Sequence, residues 1–451
     1  MKYQEIIVAI ATPPGKGGIG VVRISGKNLQ TLAKAILGFI PKQRYAHLSK
    51  FYDSDGKIID HGIALYYVSP HSYTGEDVLE LQGHGSPAIL NLLLSRCMAV
   101  GARLAQPGEF TLRAFLNGKL DLIQAESVTD IINATTKQAA RCAMKSLQGV
   151  FSKKINGLVA SITELRVLIE ATLDFPEEET ENLQSIQINK RLANINSTLQ
   201  QIVDSSRRGN LLQEGIRIVL VGEPNVGKSS LMNQLAEEDI SIVTEIPGTT
   251  RDAIQQTIQI EGVPLHMIDT AGLRETGDIV EKSGIMRTHA AIKKADLLLL
   301  VVESNKNMHV NDALIPDSLP SNLPRLTVCN KIDLLNKKPA ITDDIGNPVI
   351  WLSAKTGAGL PLLRQKLLNM IGWQTDQAGE GVFMARQRHL EALFQAKNNL
   401  RNATTMAESL SQLDLLAEEL RLAQHALTTI TGEFTADDLL GEIFSNFCIG
   451  K

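Results

Sequence analysis

Apolar and polar positions change their period several times along this chain, and each change predicts a different kind of packing. Between 6 and about 120, strand-like runs (IIVAIA, GVVRIS, GIALYYV, DVLELQG) are interleaved with helix-spaced ones (NLQTLAKAIL, AILNLLLSRCMAVG), the mixture expected of a compact α+β unit. From about 121 to 213 the spacing is helical. The stretch KQAARCAMKSLQGVFSKKINGLVASITELRVLIEATL contains no proline, which predicts one long apolar face. Between 214 and 373 strands and helices alternate (IRIVLVG, GKSSLMNQLA, LHMIDTAG, DLLLLVVE, LTVCNK, VIWLSA, GLPLLRQKLLNMI), the signature of a mostly parallel sheet wrapped by helices. After 374 the helical pattern returns in RQRHLEALFQAKNNLRNA and LDLLAEELRLAQHALTTI. Helices on both sides of a self-contained α/β unit predict a helical domain interrupted by an insertion whose two ends lie close together. The expected architecture is therefore multidomain: an α+β domain over 1–120, an all-α domain in two parts over 121–213 and 374–451, and an inserted α/β domain over 214–373.

Composition narrows the setting. A chain of 451 residues exceeds what one core organises, and a formal net charge of -4 with a pI near 6.2 gives no global attraction to polyphosphates. Contact with nucleic acid must then come from a local basic patch. Cys97, Cys142, Cys329 and Cys448 lack the paired spacing of a zinc site or a disulfide framework, which fits a reducing cytosol. The opening MKYQEIIVAIATPPG is too short in apolar residues for a secretory signal, and no stretch approaches the roughly 20 apolar residues of a membrane span. A cytoplasmic protein with no membrane partner is expected. The acidic run PEEETE (176–181) reads as a solvated helix start, where carboxylates complement the dipole.

GKGGIG (15–20) satisfies the G-x-G-x-x-G pattern, but the strand-like VVRIS follows it, where a dinucleotide fingerprint needs a helix. A glycine-rich connection between two strands is the better reading. GEPNVGKS (222–229), by contrast, follows the strand-like IRIVLV and precedes a helical run, the setting of a P-loop. Asn225, Val226 and Gly227 form its backbone cradle, Lys228 supplies a charge to the β and γ oxygens, and Ser229, followed by Ser230, places a hydroxyl for magnesium. In DTAG (269–272), Asp269 ends a strand and reaches magnesium through water; Thr270 and Ala271 lead to the Gly272 amide, which senses the γ-phosphate. PGTTRD (247–252) offers Thr250 as a second magnesium ligand. NKID brings Asn330, Lys331 and Asp333, whose carboxylate accepts both guanine donors, and Ser353, Ala354 and Lys355 complete a guanine pocket. The nucleotide is GTP, and the inserted domain reads as a Ras-like P-loop G domain. Leu273 stands where many small GTPases carry a water-orienting glutamine, which leaves Arg274, Glu275, Asp278 and Glu281 as polar candidates on the segment that follows.

The combination of GEPNVGKSS, IPGTTRD, DTAGLRE, GVVRISG, GEDVLELQGHG, LNGKLDL and the terminal FCIGK, running from the first ten residues to the last, closely resembles the MnmE (TrmE) family of bacterial tRNA-modification GTPases. That resemblance implies GTP hydrolysis activated by potassium when two G domains meet, with Asn225, Thr244, Ile246 and Thr249 around the ion and Glu281 orienting the water. It implies that Arg23, Glu80 and Lys119 of the first domain, with Lys451 of the tail, bind a tetrahydrofolate derivative in its 5-formyl or methylene form. It also implies that the first domain forms a homodimer, and that Cys448 lies near the one-carbon unit. Cys448 stands four residues from the end, but the Ile, Gly and Lys that follow make a poor prenylation box. The implied function is installation of a (carboxymethyl)aminomethyl group on C5 of the wobble uridine of certain tRNAs. The implied partner is MnmG, which brings FAD and NADH and joins in a heterotetramer or larger complex. The rival readings are a regulatory GTPase of ribosome or RNP assembly, for which the helices after the G domain carry no G-x-x-G RNA-binding signature, and a folate enzyme with a vestigial switch, against which Lys228, Ser229, Thr250 and Asp269 argue.

Overall fold

The structure is a computed structural model that describes residues 5–174, 181–237, 255–269, 295–305, 323–344, 347–373, 382–407, 412–432, 441, 443–445, 447–448 and 450. The chain divides into two compact units.

The first unit comprises 1–132, 144–199 and 391–451. Its sheet is built from β1 (Ile7–Ile10), β2 (Gly17–Gly26), β3 (His47–Tyr52), β4 (Ile58–Tyr67), β5 (Asp77–Gly85) and β6 (Arg103–Leu104), in the order β3-β4-β5-β2-β1-β6. All pairs are antiparallel except β1 with β6. Side chains alternate across the sheet. Val8, Val22, Ile24, Leu79 and Leu81 face a core completed by α1 (Gln30–Leu37) and α2 (Pro87–Ala99), while Ile7 and Ala9 of β1 pack with Phe110 of α3 (Glu109–Leu116). The GKGGIG segment differs from its expectation. Gly17 and Gly20 lie within β2, paired with Gly85 and Gly83 around a bulge, because a Cβ at Gly20 would come within 2.7 Å of Leu90 and one at Gly85 within 2.6 Å of the Gly17 carbonyl.

The helices of this unit are α4 (Leu122–Asn133), α6 (Val150–Asp174), α10 (Gln387–Met406) and α11 (Leu413–Thr431), with parts of α5 (Lys137–Leu147) and α7 (Glu181–Glu214). The single apolar face expected across α5 and α6 is interrupted. Gly149 takes φ 79°, a left-handed conformation that ends one helix and starts the next although the apolar spacing runs through it. Along α6, Phe151, Ile155, Leu158, Ile162, Leu165 and Ile169 are fully buried, a stripe at helical spacing.

The second unit comprises 133–143 and 200–390. Its strands are β7 (Ile216–Val221), β8 (Gln255–Ile260), β9 (Val263–Asp269), β10 (Leu297–Glu303), β11 (Arg325–Asn330), β12 (Ala340–Asp344) and β13 (Asn347–Trp351), ordered β12-β13-β11-β10-β7-β9-β8. The five inner strands are parallel; β8 and β12 are antiparallel edges. Continuous apolar runs such as LLLLV in β10 are buried on both faces, as a covered parallel sheet requires. The sheet also carries α8 (Lys228–Glu237) and α9 (Leu360–Met370). Among the described residues no helix is long and apolar enough to cross a membrane.

Candidate functional site

Three loops at the carboxyl ends of β7, β11 and β13 come together, the place where parallel sheets bind ligands. The first follows β7. Positive φ at Asn225 (65°) and Gly227 (97°) folds the chain back on itself before α8, forming the kind of turn whose successive N–H groups converge on an anion. A Cβ at Gly222 would lie 2.3 Å from the Val301 carbonyl of β10, so only glycine lets the loop leave the sheet there. Lys228 opens α8. Its Nζ donates to the carbonyls of Gly222 (2.7 Å) and Glu223 (3.1 Å), which fixes the ammonium over its own loop and leaves its third donor for a phosphate oxygen. Ser229 and Ser230 are exposed on the first turn of the same helix, and Asn225 is exposed on the loop.

The second loop carries the residues expected to read the base. Asn330 is buried and uses both ends of its amide: Nδ2 donates to the Val226 carbonyl at 2.8 Å, and Oδ1 accepts from the Ala354 amide at 2.8 Å. One side chain thus joins all three loops. A Cβ at Gly227 would sit 2.3 Å from Asn330 Nδ2, so glycine is also required where the cradle touches that amide. Lys331 takes φ 69° and pairs with Glu303 at 3.1 Å; Asp333 accepts from the Ser353 hydroxyl at 2.6 Å. Ser353 is fully buried, so the carboxylate is aimed by a fixed donor while its remaining lone pairs stay available to guanine N–H groups. The arrangement fits a guanine nucleotide: an anion-binding turn at one end, an oriented carboxylate at the other.

Of the other residues expected around the nucleotide, Asp269 is among the described residues. Asp269 closes β9, its backbone in register with Leu220 of β7. Thr244, Ile246, Thr249, Thr250, Thr270, Ala271, Gly272 and Glu281, as well as Arg274, Glu275, Asp278 and most of PEEETE, lie outside the described residues. So does Lys451.

A second constellation lies on the sheet of the first unit. Arg23 on β2 and Glu80 on β5 are cross-strand partners, and Arg23 Nε donates to Glu80 Oε1 at 2.9 Å. Their side chains are 20% and 15% exposed, so the pair is shielded but reachable. Arg23 also lies over the rings of Tyr73 and Phe110, 5.7 and 5.9 Å from their centroids, and its Nη1 donates to the Gly450 carbonyl at 3.3 Å. Burial raises the Tyr73 pKa, which keeps a neutral phenol beside the guanidinium; its hydroxyl shares a hydrogen bond with Thr111. Glu80 Oε2 accepts from Gln82 at 3.4 Å. Unused donors on the guanidinium and lone pairs on the carboxylate suit a planar ligand with alternating donors and acceptors. Lys119 is placed differently. Its Nζ donates to the Pro70 carbonyl at 3.1 Å, and its stem packs along Gly75, 3.2 Å from where a Cβ would stand.

The tail reaches this site through contacts with residues of the first 125 positions. Phe444 and Phe447 are buried with Leu122 and Ala125, and the Gly108 amide donates to the Cys448 carbonyl at 3.4 Å. Gly108 takes φ 66°, and a Cβ there would lie 2.6 Å from the Phe444 carbonyl. Gly450 takes φ 97° against the Ile10 carbonyl. Cys448 itself is exposed, whereas Cys97, Cys142 and Cys329 are buried. Beneath the site, Arg113 (1% exposed) pairs with Glu76 at 2.8 Å and Glu109 at 3.0 Å, and Arg103 pairs with Glu109 at 2.7 Å. Burial opposes the charge of Glu109, but the donors of Arg103, Gln106 and Arg113 outweigh it and hold the carboxyl below its ordinary range.

The family described as "MnmE helical domain" matches residues 122–448, and that described as "GTP-binding protein TrmE N-terminus" matches residues 6–119. The protein named "tRNA modification GTPase MnmE" from Nitrosomonas eutropha is 61% identical over 451 residues, covering 100% of both chains. Those of the same name from Nitrosomonas europaea and Nitrosospira multiformis are 61% and 58% identical, again over 100% of both chains.

Proposed function

The chain belongs to the MnmE family of tRNA modification GTPases, and from that premise we propose that its hydrolysis of GTP serves the modification of C5 of the wobble uridine in certain tRNAs. It is a GTP hydrolase. The observation that supports the nucleotide part of the reading is the Asn330 amide, which fastens the loop at Val226 to the loop at Ala354.

In this reading Asp333 selects guanine, Lys228 holds the β and γ oxygens, and Glu281 orients the attacking water. Ser229 and Thr250 would hold magnesium, and Asn225, Thr244, Ile246 and Thr249 would hold potassium. Held there, the two cations would supply positive charge beside the phosphates, the chemistry that phosphoryl transfer needs. Asp269, Thr270, Ala271 and Gly272 complete the γ-phosphate surroundings.

The first domain (1–120) would bind tetrahydrofolate and form the homodimer; the helical domain (121–213 and 374–451) would carry the inserted G domain (214–373). Arg23 and Glu80 read the pterin ring, with Tyr73 and Phe110 as the apolar wall behind the guanidinium. Lys119 and Lys451 would complete the folate contacts, with Cys448 beside the one-carbon unit. What supports this is the shielded cross-strand pair and the tail carbonyl of Gly450 meeting on one guanidinium. MnmG is the proposed partner, supplying FAD and NADH chemistry in a cytoplasmic complex with tRNA. Mass spectrometry of wobble nucleosides from cells lacking the chain tests the reading: the modified uridine should vanish and return with the wild-type gene, and an unaltered nucleoside would refute it.

A further inference from the structure

The β8–β9 hairpin connects the two stretches that the nucleotide reading places around the γ-phosphate. β8 begins at Gln255, just after PGTTRD, and β9 ends at Asp269, the first residue of DTAG. The far end of the same hairpin is tied, within the second unit, to residues of two helical segments.

At the turn, Glu261 (φ 50°) and Gly262 (φ 83°) are both left-handed. The Thr136 hydroxyl donates to the Gly262 carbonyl at 3.2 Å and accepts from the Ala139 amide at 2.9 Å, so the residue that starts α5 also grips the turn. A Cβ at Gly262 would lie 2.8 Å from Gln138 Cβ, which leaves the turn no room to slide along the helix.

On β9, His266 bridges Thr257 of β8 and Glu214, the last residue of α7. Nδ1 lies 3.0 Å from the Thr257 hydroxyl and Nε2 3.1 Å from the Glu214 carbonyl. A carbonyl only accepts, so Nε2 carries the proton and Nδ1 accepts from the hydroxyl. Both nitrogens are satisfied by the neutral ring. Burial lowers the His266 pKa and Arg217 acts the same way, against the Glu214 bond and Asp296, which raise it. Gly215 follows at φ 66°, and a Cβ there would meet the Pro264 carbonyl at 2.6 Å and His266 Nε2 at 2.8 Å. The exit of α7 is thus pressed directly onto β9.

We propose that the β8–β9 hairpin is the mechanical link between the bound nucleotide and the helical segments of the second unit, with His266 and Thr136 as its attachment points. A strand held by ladder hydrogen bonds on both sides moves as a rod. His266 stands three residues, roughly 10 Å, from Asp269, so an axial or tilting shift at the γ-phosphate end is delivered to the Glu214 carbonyl and to Thr136. By reciprocity, a force on α7 biases the nucleotide end equally.

This proposal rests on the GTP reading, and one experiment separates them. Amide hydrogen exchange of 207–214 and 133–139 would be measured on the full chain with GDP and with a non-hydrolysable GTP analogue, beside the affinity of each nucleotide. In the wild type, exchange in both segments should differ about 5-fold or more between the two nucleotides. In His266→Ala combined with Thr136→Val the ratio should fall toward one, with both affinities retained, while His266→Gln, which can still donate to Glu214, should keep most of the difference at 207–214. Thr136→Val alone, a near-isosteric change, covers the case in which His266→Ala fails to fold, and should erase the difference at 133–139. Retained affinity with an unchanged ratio in the variants, or no difference in the wild type, overturns the link alone. A wild-type chain that binds neither nucleotide overturns the GTP reading with it.

Discussion

Asn330 donates to the Val226 carbonyl at 2.8 Å across 104 residues of sequence, so the loop after β11 and the loop before α8 form one object. Replacing Asn330 with alanine removes that bond and the one from the Ala354 amide, and leaves a carbonyl and an amide unpaired. Each such loss costs about 1–3 kcal/mol. Guanine-nucleotide affinity, followed with a fluorescent GDP, should weaken by roughly 30-fold or more while the fold persists.

Asp333→Asn tests the base assignment. An amide held by Ser353 offers donors where guanine also presents donors, so GTP binding should weaken by roughly 100-fold. Xanthine nucleotides carry an acceptor at that edge and should gain affinity. Competition between GTP and XTP for the variant measures the switch, and unchanged preference would remove Asp333 from the base pocket.

Glu109 is only 3% exposed and its carboxyl is held below the ordinary range despite burial, because Arg103, Gln106 and Arg113 all donate to it. A depressed folded-state pKa contributes stability that is full above the unfolded value, about 4.3 for glutamate, and is lost as the pH falls through the folded value. Glu109→Gln should therefore cost about 3 kcal/mol at neutral pH. Its unfolding free energy should also fall less steeply than that of the wild type below about pH 4.3, as urea titrations at several pH values would show.

Burial pushes the Cys97 thiol up to about 12 and the Cys329 thiol up to about 11, so neither forms appreciable thiolate at neutral pH. Cys142 is buried as well, and Cys448 is exposed. Iodoacetamide on the native chain, with peptide mapping, should label Cys448 ahead of the other three.

Gly108→Ala should unseat the tail. It forces a side chain into φ 66° and to within 2.6 Å of the Phe444 carbonyl. A cost of roughly 1–2 kcal/mol at that contact should raise amide exchange in 443–448 by about 5- to 30-fold and weaken the proposed folate binding in parallel. Exchange that matches the wild type would show that Gly108 does not seat the tail.

What the sequence revealed followed the range of the interactions involved. Lys228, Asn330 and Asp333 stand in short motifs whose backbone geometry is local, so the cradle and base pocket were legible. Arg23 and Glu80 stood out only as charges in apolar runs; that they face each other follows from the β2–β5 register, which no single segment encodes. Gly108 and Cys448 are far apart in sequence, so the contact that seats the tail could not be read from either segment. Gly149 was visible as a residue and silent as a break, since the apolar spacing continues on both sides of it. The edge strands β8 and β12 carry polar, solvent-facing residues and blur into loops, although β8 belongs to the hairpin whose turn Thr136 grips.

The seating of Gly450 against Ile10 sets an order of events at the ribosome. Translation at about 5–20 residues per second separates the two residues by roughly 20 to 90 seconds, so the first sheet emerges and folds with that face bare. A nascent chain that has not yet reached Gly450 would present an unroofed Arg23, because the carbonyl that caps its guanidinium does not yet exist.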